Sequence, residues 1–163
     1  MMHVREVQSM TNGETIMACA EIEAPVERVF TALVTKEVEQ WWGSADTCRM
    51  ADWSADLRVG GRWTVTVRTA DGSDLPASGE FLEIEAPRRI VQTRAYGWDH
   101  PKLGRRQTTV AWLLEPIATG TRLTICHGGF AGLSGAAVEH AEGWGRVLAW
   151  LQDYVAAGKL AAA

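Results

Sequence analysis

The chain has 163 residues, 47% hydrophobic and 22% charged, which suits one domain with a single core that needs no disulfide staples. A net charge of −4 with mixed signs, and only two dibasic pairs, Arg88-Arg89 and Arg105-Arg106, argue against nucleic acid as a partner. Three scattered cysteines (Cys19, Cys48 and Cys126) without a CxxC point to a reducing, cytoplasmic setting, and neither the start Met1-Met2-His3-Val4-Arg5-Glu6 nor any apolar run reads as a signal peptide or a membrane span.

Taken in chain order, the first strand is expected from about Glu14 to Ile22. There Ile16, Ala18, Ala20 and Ile22 alternate with Thr15, Met17, Cys19 and Glu21. Ala24-Pro25 breaks it, and Pro25 suits the first position of a helix. Val26, Val29, Phe30 and Leu33 then follow at helical spacing. Thr35 can cap a second short helix that stops at Trp41-Trp42-Gly43.

The middle of the chain reads as antiparallel strands joined by turns: Arg62 to Thr69, Ala77 to Glu85, Arg89 to Arg94, Gln107 to Glu115 and Thr121 to His127. The turns fall at Asp71-Gly72, Ala86-Pro87 and Pro116 to Gly120, and a longer loop runs from Gly97 to Gly104. Six or seven strands in a meander predict one strongly curved sheet. Ser134 then opens the longest helix, expected to about Ala157. Its stripe of Ala137, Ala141, Trp144, Leu148, Leu151 and Val155 needs a broad apolar partner, and the sheet is the surface available. The expected fold is therefore α+β, a curved antiparallel sheet gripping a long C-terminal helix, with two short helices after the first strand. Residues 1–13 are read as an N-terminal segment, 14–157 as the domain, and 158–163 as a tail resembling a vector scar.

Several stretches resemble the START-like, or SRPBCC, superfamily, in its branch similar to the activator of the heat-shock protein 90 ATPase. They are Ile22-Glu23-Ala24-Pro25-Val26-Glu27-Arg28-Val29-Phe30, Gln40-Trp41-Trp42-Gly43, Asp56-Leu57-Arg58-Val59-Gly60-Gly61-Arg62-Trp63, Gly79-Glu80-Phe81, Pro87-Arg88-Arg89-Ile90-Val91 and His140-Ala141-Glu142-Gly143-Trp144. The resemblance implies a helix-grip fold with a cavity between helix and sheet, and it implies no particular reaction.

The sequence itself carries no strong catalytic motif. Gly132-Leu133-Ser134-Gly135-Ala136 lacks the last glycine of a nucleophile elbow, and no phosphate-binding loop, dinucleotide fingerprint or HExxH occurs. His3, His100, His127 and His140 lack metal-ligand spacing, so no metal and no cofactor are expected. Eight tryptophans stand out against two tyrosines and three phenylalanines, most of them read as core. Strand and helix faces nominate Trp63, Phe81, Val110, Trp112, Trp144 and Leu148 as apolar walls of a ligand site. His127 and Arg94 are the polar candidates. His127 either orients a ligand or bonds neighbouring backbone, and Arg94 either anchors an anionic or carbonyl group or forms a surface ion pair. The aromatic loop Tyr96-Gly97-Trp98-Asp99-His100-Pro101 is expected to gate the mouth or to contact a partner. Two glycines inside the long helix, Gly143 and Gly145, call for a packing reason.

The expected function is sequestration or transport of a small hydrophobic molecule, a binding role in preference to an enzymatic one, with no membrane partner and a homodimer compatible with the sequence. One alternative is a cyclase or dehydratase using a lone His127 or Arg94. A second, by analogy to the namesake of the branch, is a chaperone accessory.

Overall fold

The computed structural model describes residues 6–162, with side chains to residue 158; Met1 to Arg5 and Ala163 lie outside it. Eight strands and three helices follow in the order β1 (Gln8–Thr11), β2 (Thr15–Ile22), α1 (Val26–Val34), α2 (Val38–Trp41), β3 (Cys48–Ala55), β4 (Arg62–Thr69), β5 (Asp74–Glu85), β6 (Arg89–Tyr96), β7 (Thr108–Ile117), β8 (Gly120–Gly128) and α3 (Ser134–Ala162). The strands form a single antiparallel sheet in the order β1-β2-β8-β7-β6-β5-β4-β3. The helical pair α1 and α2 carries the chain from β2, near one edge, to β3 at the other. This is the helix-grip arrangement, with eight strands rather than six or seven. The two added strands, β1 and β3, are its edges.

Alternation decides which face is buried. Ile16, Ala18, Ala20 and Ile22 of β2, Leu123 and Ile125 of β8, and Val110, Trp112 and Leu114 of β7 all point into the core. Against them lies α3, with Ala137, Ala141, Trp144, Leu148, Leu151 and Val155 buried as the helical spacing requires. The helix continues to Ala162, beyond the expected stop near Ala157 and through most of the stretch read as a tail.

Three polar anchors fix the helix and the corner after β2. The Ser9 hydroxyl donates to the Ala141 carbonyl at 2.6 Å, and the Gln152 amide donates to the Glu21 carbonyl at 3.0 Å. Thr121 Oγ1 donates to the Ala24 carbonyl at 2.7 Å. Each satisfies a backbone acceptor at a packed junction, where an unpaired one would be costly. A close approach explains Gly79. The Trp63 indole reaches across it to donate to the Thr93 carbonyl at 3.0 Å, and a Cβ at position 79 would stand 2.6 Å from that indole nitrogen. No helix among the described residues is long and apolar enough to cross a membrane.

Candidate functional site

The centre of the interface between sheet and helix is filled. Trp112 and Trp144 meet edge to face at 5.3 Å, and Trp42 packs on both, at 6.3 and 5.7 Å between ring centroids. The empty space lies to one side of this cluster, towards the N-terminal half of α3. It is a cavity of about 340 Å³, near the lower end of the roughly 300–1,000 Å³ usual for small-molecule sites.

Five parts of the fold line the cavity. The segment from α2 into β3 supplies Trp42, Cys48 and Met50, and β4 and β5 supply Val67 and Leu75. Arg94 and Tyr96 come from the end of β6, followed by Trp98 and His100 of the next loop. From α3 come Glu139, His140, Gly143, Trp144, Arg146, Val147 and Trp150, with His127 of β8 at the back. A second, more open hollow of about 530 Å³ lies between the start of α1 and the β7–β8 turn, and its lining carries no aromatic ring.

Of the residues nominated from the sequence, Arg94, His127 and Trp144 meet at this cavity. Trp63, Phe81, Val110, Trp112 and Leu148, expected as walls, are packed into the core and do not line it. The reason is geometric. Inward-pointing residues in the middle of a stripe pack on one another, and space opens where polar residues interrupt the stripe.

His127 is buried and fully bonded. Trp144 Nε1–H donates to its Nδ1 at 2.9 Å, so Nε2 carries the proton of the neutral ring and donates to Thr108 Oγ1 at 2.8 Å. Thr108 passes its own proton to the Arg94 carbonyl at 3.2 Å. Burial above all, then the Arg94 charge and the nearby His140, pushes the His127 pKa down to about 2. The ring is neutral at physiological pH, and its partners are mainly side chains rather than the neighbouring backbone.

His140 is the mirror case. Its Nδ1–H donates to the Ala136 carbonyl at 2.8 Å, leaving Nε2 to accept the Tyr96 hydroxyl proton at 2.9 Å. Burial, with the Arg94 charge, lowers its pKa against the bond to the Ala136 carbonyl. The third histidine, His100, stacks on Tyr96 at 4.9 Å and accepts the backbone N–H groups of Lys102 and Leu103 on Nδ1. Its Nε2–H therefore faces Glu139 Oε1 at 3.2 Å, while Lys102 pairs with the other carboxylate oxygen at 3.1 Å. Burial works to raise the Glu139 pKa, but Lys102 and His100 outweigh it and hold the carboxylate below its usual range. Cys48 goes the other way: burial pushes its thiol up, keeping it protonated.

The loop expected to gate the mouth is tied down as a wall. Besides the Glu139 pairs, Leu103 is buried and Arg106 Nη1 donates to the Ala131 carbonyl at 2.7 Å. The two helix glycines differ in role. A Cβ at Gly145 would make ordinary contact with Ser9 at 3.9 Å, whereas Gly143 lines the cavity, and a Cβ there meets only Arg146 Nη2 at 3.8 Å. Glycine at 143 keeps the space clear.

Sequence reading passed over Trp42, Cys48, Met50, Glu139 and Trp150. For Trp42 a signal existed in the Trp-Trp-Gly stop of α2. For Cys48 and Met50 none did, because β3 was not recognisable. Among the described residues no group of His, Cys, Asp and Glu is placed to hold a metal ion, and Cys19, Cys48 and Cys126 are free thiols.

The family model described as "Activator of Hsp90 ATPase homolog 1-like protein" matches residues 23–156. No functionally curated protein matches the chain. Among solved structures, protein NE0264 from Nitrosomonas europaea is 25% identical over 93% of this chain and 99% of its own, with a TM-score of 0.75. A protein from Arthrobacter aurescens is 23% identical over 94% and 92%, with a TM-score of 0.78. The AHSA1 protein of Silicibacter pomeroyi is 23% identical over 88% and 99%, with a TM-score of 0.71.

Proposed function

Because the chain belongs to the Activator of Hsp90 ATPase homolog 1-like family, whose fold grips a helix against a curved sheet, we propose that it binds a small, largely apolar molecule in the cavity beside α3. The observation that carries this reading is the cavity itself: about 340 Å³ between sheet and helix, walled by Trp42, Tyr96, Trp98, Trp144 and Trp150. A protein core is normally packed to the density of an organic crystal. Here glycine stands at 143, where a larger side chain would fill the gap and favour the helix.

Sequestration or carriage fits the side chains better than cyclase or dehydratase chemistry. Both nitrogens of His127 and both of His140 are engaged in the free protein, and His127 stays neutral. A general base needs a free lone pair within reach of the proton that it takes.

The test is to fill the cavity. Gly143→Leu gains somewhat less than the roughly 0.8–1 kcal/mol of helix propensity that separates glycine from alanine, and places an isobutyl group in the space. Its melting temperature is expected to stay level or rise. Its affinity for the neutral probe phenylnaphthylamine, read by probe fluorescence, is expected to fall at least about tenfold. Unchanged affinity in a folded variant would move the binding site elsewhere.

A further inference from the structure

The polar groups left over in this cavity are donors. His127, His140 and the Trp144 indole are hydrogen-bonded, and the Tyr96 proton is given to His140. The Glu139 carboxylate is held by His100 and Lys102. Trp98 Nε1 is the one buried side-chain nitrogen or oxygen among the described residues with no hydrogen-bond partner.

Two guanidinium groups of the lining are also left over, Arg94 and the more exposed Arg146, and Arg94 is the one held between aromatic rings. Its guanidinium carbon lies 5.8 Å from the Trp42 ring, 5.7 Å from the Trp63 ring and 5.8 Å from the Tyr96 ring. Among the described residues the guanidinium makes no ion pair and no hydrogen bond. Arg28, Arg58, Arg68, Arg89, Arg105 and Arg122 each face a carboxylate. The surface ion pair that the sequence allowed for Arg94 is thus not formed. Aromatic faces hold a cation in position without accepting its N–H bonds. A planar fork of five donors is fixed at the wall of an apolar space with no acceptor to receive it.

An unpaired guanidinium fork held at the wall asks for a group that only accepts. We propose that the ligand is a monoanionic acid with a flat apolar body. Its carboxylate or sulfonate meets the Arg94 fork, while the body lies against Trp42, Trp144 and Trp150. This rests on the cavity reading above and adds the sign and place of the charge. A neutral guest would leave the Arg94 fork unpaired in a drier cavity, which costs affinity. A cationic guest would meet Arg94 head-on, with Arg146 at the rim.

Two fluorescent probes that share a skeleton separate the terms: anilinonaphthalene sulfonate and the uncharged phenylnaphthylamine. The full-length protein is expected to bind the sulfonate at least about tenfold more tightly, since charge-assisted bonds are the strong ones. R94M is expected to lose that preference, weakening the sulfonate about tenfold and the neutral probe less than about twofold. R94K, which keeps the charge and loses the planar fork, falls between. Melting curves confirm that the variants fold, and the wild-type ratio reads the preference with no variant at all. If the neutral probe binds and the sulfonate shows no advantage, or R94M weakens both probes equally, the anion proposal is overturned and the cavity reading stands. If neither probe binds the wild-type protein, the cavity reading falls and takes this proposal with it.

Discussion

Alanine at position 127 should lower the unfolding free energy by about 3–5 kcal/mol, the largest effect expected of any single change near the cavity. Two costs add. Truncating a fully buried imidazole opens a hole next to Phe130, whose ring lies 4.7 Å away edge to face. It also strands Trp144 Nε1–H and interrupts the relay through Thr108 to the Arg94 carbonyl. Phenylalanine at 127 separates the two costs, because it fills the hole and removes only the ring's two hydrogen bonds, the acceptor for Trp144 and the donor to Thr108. H127F should cost about 1–3 kcal/mol, the price of one buried unpaired donor. In the double variant H127F/W144F the donor is gone as well, so the combined loss should be smaller than the sum of the single losses. Urea titrations of the four proteins give the cycle. Simple additivity would mean that the indole–imidazole bond contributes nothing.

Acid should destabilise the fold well above the usual carboxylate range. In the native protein His127 stays neutral down to about pH 2, while in the unfolded chain it titrates near 6.5. Below pH 6.5 the unfolded chain therefore binds one more proton than the native one, and stability falls as pH falls, by about 1.4 kcal/mol per unit. From pH 7 to pH 5 the loss from His127 alone is about 2 kcal/mol. His140, also lowered by burial, acts in the same direction. The expected result is a marked fall in midpoint between melts at pH 7 and pH 5, with the His127 share of the slope absent in H127F. Equal stability at the two pH values would show that these rings charge without unfolding the protein.

Both predictions rest on residues whose burial was legible in the sequence, although their partners were not. The strands with clean alternation (β2, β4, β7 and β8) and the α3 stripe follow directly from the residue pattern. The two strands that escaped notice are the two edges of the sheet. β1 is only Gln8–Thr11, with three polar residues and no core position. β3 loses its alternation where the register shifts between Ala51 and Ser54, with Asp52 at φ 53°. Edge strands bury less and carry more polar residues, so the signal that betrays a central strand is weakest there.

The site shows a different limit. Period two and period 3.6 report which residues turn inward, and that is why Trp112, Trp63, Phe81, Val110 and Leu148 were nominated and why all five are buried. Periodicity does not report whether an inward space is filled. The cavity is framed by Arg94, Tyr96, His127 and His140, polar residues that break the stripe. It reaches the α2–β3 segment, which contacts α3 only through the folding of a distant stretch of chain. Arg94, nominated from its strand face, lines the cavity. Its aromatic cage needs Trp42, Trp63 and Tyr96 from three separate elements, and no spacing rule joins them.

The tryptophans offer the most direct test of the central claim, because the fold divides them evenly. Trp42, Trp98, Trp144 and Trp150 line the cavity, whereas Trp41, Trp53, Trp63 and Trp112 do not. Trp41 and Trp63 are tied to the Ala32 and Thr93 carbonyls, and Trp112 to Gln92 Oε1. In a nitrogen-15 NMR titration with anilinonaphthalene sulfonate, the indole N–H signals of the first four should move most. Large shifts confined to the second four, or no saturable shift in any indole, would contradict a ligand site beside α3.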